Sequence, residues 1–110
     1  MVIVKNKSEL KKAILNREEI LIEDIKLIRM LKPLMHVKQG DKRIKELLAC
    51  KTNASAGVTV ATLAGLEVPV AIVLIVTVGV VTIVAILSEY EIEYDKSGKL
   101  RLKPTKEKNV

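Results

Sequence analysis

The sequence predicts an α+β chain in three parts. Residues 1–51 form a small, basic strand-helix-strand-helix-helix unit, residues 52–88 an apolar helical segment that is transmembrane or a hairpin, and residues 89–110 a C-terminal β-hairpin with a polar tail. Three observations carry this. Residues 52–88 hold one charge, Glu67, in 37 positions, while residues 1–51 carry 13 basic and 7 acidic side chains and residues 89–110 carry 6 and 5. Residues 90–103 alternate apolar and charged with the period of two of a strand. Residues 1–51 switch between short β-branched runs and stretches with helical spacing.

In chain order, Met1-Val-Ile-Val-Lys5 is a strand candidate. Ser8 is the expected N-cap of a helix through about Asn16, with Leu10, Ala13 and Ile14 on one face. Glu19 to Asp24 reads as a second strand. A helix from about Asp24 to Lys32 presents either Ile25, Ile28 and Leu31 or Leu27 and Met30, and Pro33 limits it. After the Gly40-Asp41 turn, Asp41 caps a third helix that carries Ile44, Leu47 and Leu48.

The apolar segment has two pieces. Residues 52–66 form a glycine-spaced helix in which Gly57, Ala61 and Gly65 recur every four residues. This small-xxx-small stripe lets helices approach closely, either between subunits or at a tight crossing inside one monomer. Residues 68–88 run 21 positions without a charge, which as one helix spans about 31 Å, close to the hydrocarbon thickness of a bilayer. Fourteen of the 21 are Val, Ile or Thr, which favour strand in water. In lipid that preference yields, because a helix satisfies its own backbone. The run lacks the alternation of a membrane barrel, and it lies too far inside the chain for a signal peptide. Glu67-Val68-Pro69 interrupts the two pieces. Three topologies follow: a single span by 68–88, a helical hairpin, or a shielded segment that inserts on a signal.

At the C-terminus, Tyr90, Ile92 and Tyr94 alternate with Glu91, Glu93 and Asp95, and Leu100 and Leu102 alternate with Lys99, Arg101 and Lys103. A three-residue Lys96-Ser97-Gly98 loop with Gly98 left-handed pairs Tyr94 with Leu100 and Ile92 with Leu102, and sets Glu93 opposite Arg101 and Glu91 opposite Lys103. The apolar face of this hairpin needs a partner, and the N-terminal strand pair is the natural one. Such a sheet requires both ends on one side of a membrane.

Composition narrows the function classes. Disorder is excluded by 49% hydrophobic residues, and one cysteine, Cys50, and one histidine, His36, supply neither a disulfide framework nor a four-ligand zinc site. No catalytic constellation, phosphate-binding glycine loop or His-rich metal pattern is visible, so no enzymatic role, cofactor or small-molecule substrate is expected. His36, among Leu34, Met35 and Val37, reads as a packing or surface residue, and Cys50 as a small residue or a juxtamembrane acylation site. The net charge of +6 is interleaved with acids and lacks aromatic stacking partners, which points away from nucleic acid and toward anionic lipid. Lys42, Arg43, Lys45 and Lys51 are the candidate headgroup contacts and favour a cytoplasmic N-terminal part. Gly57, Ala61, Gly65 and Gly79 are the candidate helix-packing and oligomerisation residues. Glu67 is the candidate pore- or interface-facing acid, with an interfacial turn residue as its other reading.

The start VIVKNKSELKKAI followed by ILIED, the Gly/Ala-rich apolar middle and the end YEIEYDKSGKLRLK together resemble a group of small bacterial proteins of unassigned function. That resemblance implies a bacterial source, hence the cytoplasmic membrane, and no particular activity. The expected function is a small membrane-inserting, self-associating protein, with membrane permeabilisation by a toxin or defence effector as its extension. The alternative is a structural homo-oligomeric module that buries the apolar segment as its core.

Overall fold

The computed structural model describes residues 1–38 and 40–105. Their order is β1 (Val2–Val4), α1 (Lys7–Leu15), β2 (Ile20–Ile22), α2 (Ile25–Leu31), a 3-10 turn (Lys32–His36), α3 (Lys42–Ala49), α4 (Asn53–Ala64), α5 (Val68–Val78), α6 (Val80–Glu89), β3 (Tyr90–Tyr94) and β4 (Leu100–Pro104). The fold is α+β, with one mixed sheet in the order β1-β2-β4-β3. β1 and β2 run parallel, joined through α1, and β4 pairs antiparallel with both β2 and β3.

The sheet thus joins the two ends of the chain, as the unpartnered face of the C-terminal hairpin requires. Its registers align Val2, Ile20, Leu102 and Ile92 in one row across the four strands, and Val4, Ile22, Leu100 and Tyr94 in the next. Side chains of both rows project to the same face, because they alternate with Ile3, Leu21, Arg101 and Glu93. Val4, Ile20, Ile22, Leu100 and Leu102 are fully buried there, in one core with Leu10, Leu31, Leu47, Leu74, Ile83 and Ile86 from the helices. The three compositional segments therefore share a single core. Tyr90 ties them further by donating its hydroxyl to the Glu18 carbonyl at 2.9 Å.

The C-terminal hairpin forms in the expected register, Tyr94 with Leu100, Ile92 with Leu102, Glu93 with Arg101 and Glu91 with Lys103. The Asp95 amide donates to the Lys99 carbonyl at 2.9 Å, and Gly98 closes the loop at φ 87°. Asp95 organises the turn: its carboxylate accepts from the Ser97 and Lys99 amides and the Ser97 hydroxyl. These bonds, the Ser97 hydroxyl foremost, hold its pKa below the usual carboxylate value.

Several local expectations need correction. α1 is capped by Asn6, two residues before Ser8. Asn6 Oδ1 accepts from the Glu9 amide at 2.9 Å, while Glu9 reaches back to the Lys5 amide at 2.8 Å. That reciprocal pair satisfies two amide donors at once, which Ser8 inside the first turn does not. In α2 the chain buries Leu27, Ile28 and Leu31 and leaves Ile25 outside. In α3 the Asp41 cap stands, but Leu48 is exposed and only Ile44 and Leu47 are buried.

The main correction concerns residues 68–88. They do not form one helix: α5 ends at Val78, Gly79 takes φ 90° and ψ 148°, and α6 begins at Val80. That backbone conformation is closed to most L-residues, and glycine reaches it at little cost. Among the described residues no single helix is long and apolar enough to cross a membrane, although α4 and α5 together, bent by 113°, have the length and composition of a broken span or a re-entrant loop.

Candidate functional site

The α4–α5 pair is where the predicted packing residues lie. Thr52 starts α4 with a reciprocal cap: its hydroxyl accepts from the Ser55 amide at 3.0 Å while the Ser55 hydroxyl accepts from the Thr52 amide at 3.4 Å. Gly57 faces α5 so closely that a β-carbon there would overlap Ile72 Cγ1 and stand 3.5 Å from Ile72 Cα. Ala61 is buried in the same core. Both small residues are therefore used within the monomer, Gly57 at the close crossing of α4 and α5 and Ala61 in the core.

Gly65 and Gly79 have different duties. Gly65 ends α4 in the left-handed region at φ 70°, with its amide donating to the Ala61 carbonyl. Gly79 breaks α5 from α6, and a β-carbon at either glycine would meet nothing within 4 Å. Both act through backbone conformation, Gly65 before the α4–α5 bend and Gly79 at the break between α5 and α6.

Glu67 is exposed at the α4–α5 corner, and its carbonyl accepts the Ala71 amide at 3.0 Å. Its side chain does not cap α5. Of the basic residues, Lys42, Arg43, Lys45 and Lys51 are all exposed. Arg43 folds onto Asp41, with Nη2 2.9 Å from Oδ2 and Nε 3.2 Å from Oδ1, and the Arg43 amide also donates to Oδ1. The guanidinium bonds lead in holding the Asp41 carboxyl down to about 2 and raise the Arg43 pKa in return. His36 is exposed, and Cys50 Sγ donates to the Glu46 carbonyl at 3.3 Å. Among the described residues, no group of three or more His, Cys, Asp or Glu could hold a metal ion.

What the sequence did not single out is the surface left by these helices. α5 turns Ala71, Leu74, Ile75 and Val78 inward and leaves Val70, Val73 and Val76 exposed, each three residues from the next and therefore on one helical face. Val73 and Val76 are 58% and 63% accessible. On the neighbouring surface, a groove of about 590 Å³ opens between α1 and α6 beside Gly79. Leu15, just outside the buried Leu10–Ala13–Ile14 face, is the signal that could have pointed to it.

The chain matches no family model, no curated protein and no solved structure.

Proposed function

We propose that the protein is a non-enzymatic membrane-associating protein of a bacterial cytoplasmic membrane, which places the α4–α5 hairpin in the bilayer and self-associates there. The observation that carries this reading is the exposed, uncharged valine face of α5. Three large aliphatic side chains held in water along one helix form a surface that lipid or another protein must cover to gain its transfer free energy, about 25 cal/mol per Å² buried. The bent pair supports a hairpin: it keeps the sheet, which unites residues 2–22 with 90–104, on one side of the bilayer. Lys42, Lys45 and Lys51 add attraction to anionic headgroups, each worth about 1 kcal/mol near such a surface. Permeabilisation by the assembled hairpins is the activity this reading leads to.

A soluble homo-oligomer that covers the same face is the second reading. The close Gly57–Ile72 approach favours it in one respect, since the glycine stripe is already used inside the monomer and contact between subunits falls to Val70, Val73 and Val76.

Flotation with anionic liposomes tests the proposal. Val73→Asp changes an exposed position, so the fold should persist while a charge enters the bilayer-facing surface. The parent chain should float with the vesicles and release entrapped dye, and Val73→Asp should lose most of both. A parent chain that stays at the bottom of the gradient as a defined oligomer would replace the membrane reading with the second one.

A further inference from the structure

The groove between α1 and α6 uses residues that take no part in the hairpin. Leu15 and Val81, at 79% and 70% the most exposed large hydrophobic side chains of the described residues, both line it. Val78, Val80 and Ala85 continue its apolar lining, and Gly79, without a side chain, leaves the bend between the two helices open. Its volume of about 590 Å³ lies within the roughly 300–1,000 Å³ typical of small-molecule sites.

Its polar groups are few. Arg17 lies 3.8 Å from Glu89, so those opposite charges offset each other. Lys11 has no ion-pair partner among the described residues and leaves the groove one uncompensated positive charge. Thr82, largely buried, adds a hydroxyl-bearing side chain to the lining. An open aliphatic channel with one surplus cation complements a single alkyl chain that ends in a monoanion.

We propose that this groove binds a free long-chain fatty acid, with the alkyl chain against Leu15, Val81 and Ala85 and the carboxylate paired with Lys11. The chain would cover the apolar side chains that the fold leaves in water, and the carboxylate would neutralise the surplus charge. Because the site is separate from the valine face of α5, it stands or falls independently of bilayer insertion.

The test is titration of the full chain with cis-parinaric acid in vesicle-free buffer, followed by displacement with palmitate. The expected result is saturable binding of one molecule per chain. Lys11→Glu should weaken palmitate about tenfold, a loss of about 1.4 kcal/mol, and leave displacement by uncharged hexadecanol unchanged. Ala85→Trp should block the channel, and Val81→Asp, at an exposed position, should do so without disturbing the core. Absence of saturable binding, or parent-like binding by both Lys11→Glu and Val81→Asp, would overturn the proposal. So would a fatty-acid-free dimer, seen by sedimentation, that Leu15→Asp converts to monomer, because a second copy would then be the occupant.

Discussion

At the scale of single residues, Gly57 sets how closely α4 and α5 approach. Adding a methyl group gains up to about 1 kcal/mol of helix propensity. The same methyl must displace Ile72 from a position where its own backbone is 3.5 Å away, an overpacking cost of about 1–3 kcal/mol. Gly57→Ala should therefore be destabilising by about 1 kcal/mol in urea unfolding, and combining it with Ile72→Ala should recover part of that loss as a coupling energy. Additive losses in the double variant would show that the two residues do not meet. The Asp41–Arg43 pair makes an independent prediction. The folded carboxyl titrates near 2, below its ordinary 3.8, so its contribution to stability is fully present above about pH 4 and disappears as the pH falls toward 2. Carboxyl chemical shifts should give that midpoint for Asp41 in the parent chain, and Arg43→Ala should move it back up toward the ordinary value.

At the scale of elements, the hairpin and the apolar segment differ in how much their sequences reveal. Strict alternation on both sides of Gly98 leaves one register that puts Tyr94, Ile92, Leu100 and Leu102 on a common face, and the chain adopts it. The Asp41 cap was legible for the same reason, since a side-chain acceptor before a helical pattern has a local partner, the Arg43 amide at 2.9 Å; Asp24, read only as the start of its helix, caps α2 in the same way through the Leu27 amide at 3.1 Å. Residues 68–88 lack such local signals. A lone glycine in an aliphatic run is as compatible with a continuous helix as with a break, and the outcome depends on how α5 and α6 pack against α1, α3 and α4. The stripe of Gly57, Ala61 and Gly65 was ambiguous in the same way, because spacing alone does not say whether the close neighbour belongs to the same chain. Gly79 offers the sharper test of the element. Its φ of 90° and ψ of 148° should make Gly79→Ala destabilising by about 1–3 kcal/mol, whereas D-alanine, which prefers positive φ, should be tolerated. Equal melting temperatures for the L- and D-alanine proteins would show that the break does not depend on this backbone conformation.

At the scale of the molecule, one sheet holds residues 2–22 and 90–104, so α2 to α6 form a long insertion between β2 and β3 that leaves the sheet and returns to it. The proposed bilayer entry therefore takes the form of a hairpin, with α4 and α5 at its tip and the sheet and α3 left in water. The apolar segment serves two surfaces at once. Its inward residues, Val60, Ala71, Leu74, Val78, Ile83 and Ile86, complete the core, while Val70, Val73 and Val76 remain outside. Core formation explains the first set, and the proposed contact with a bilayer is the role assigned to the second. The candidate surface was legible in the sequence only as a region, since the choice of outward-facing valines follows from the tertiary packing of α5. The most direct measurement is the emission of an environment-sensitive fluorophore at residue 73, attached through Val73→Cys in a Cys50→Ser background. On addition of anionic liposomes, at protein concentrations where the chain alone gives aqueous emission, the spectrum should shift to the blue and become quenchable by bromine-labelled lipid chains. Emission that stays aqueous, or a blue shift that lipid-chain quenchers do not reach, would contradict insertion of the α5 face.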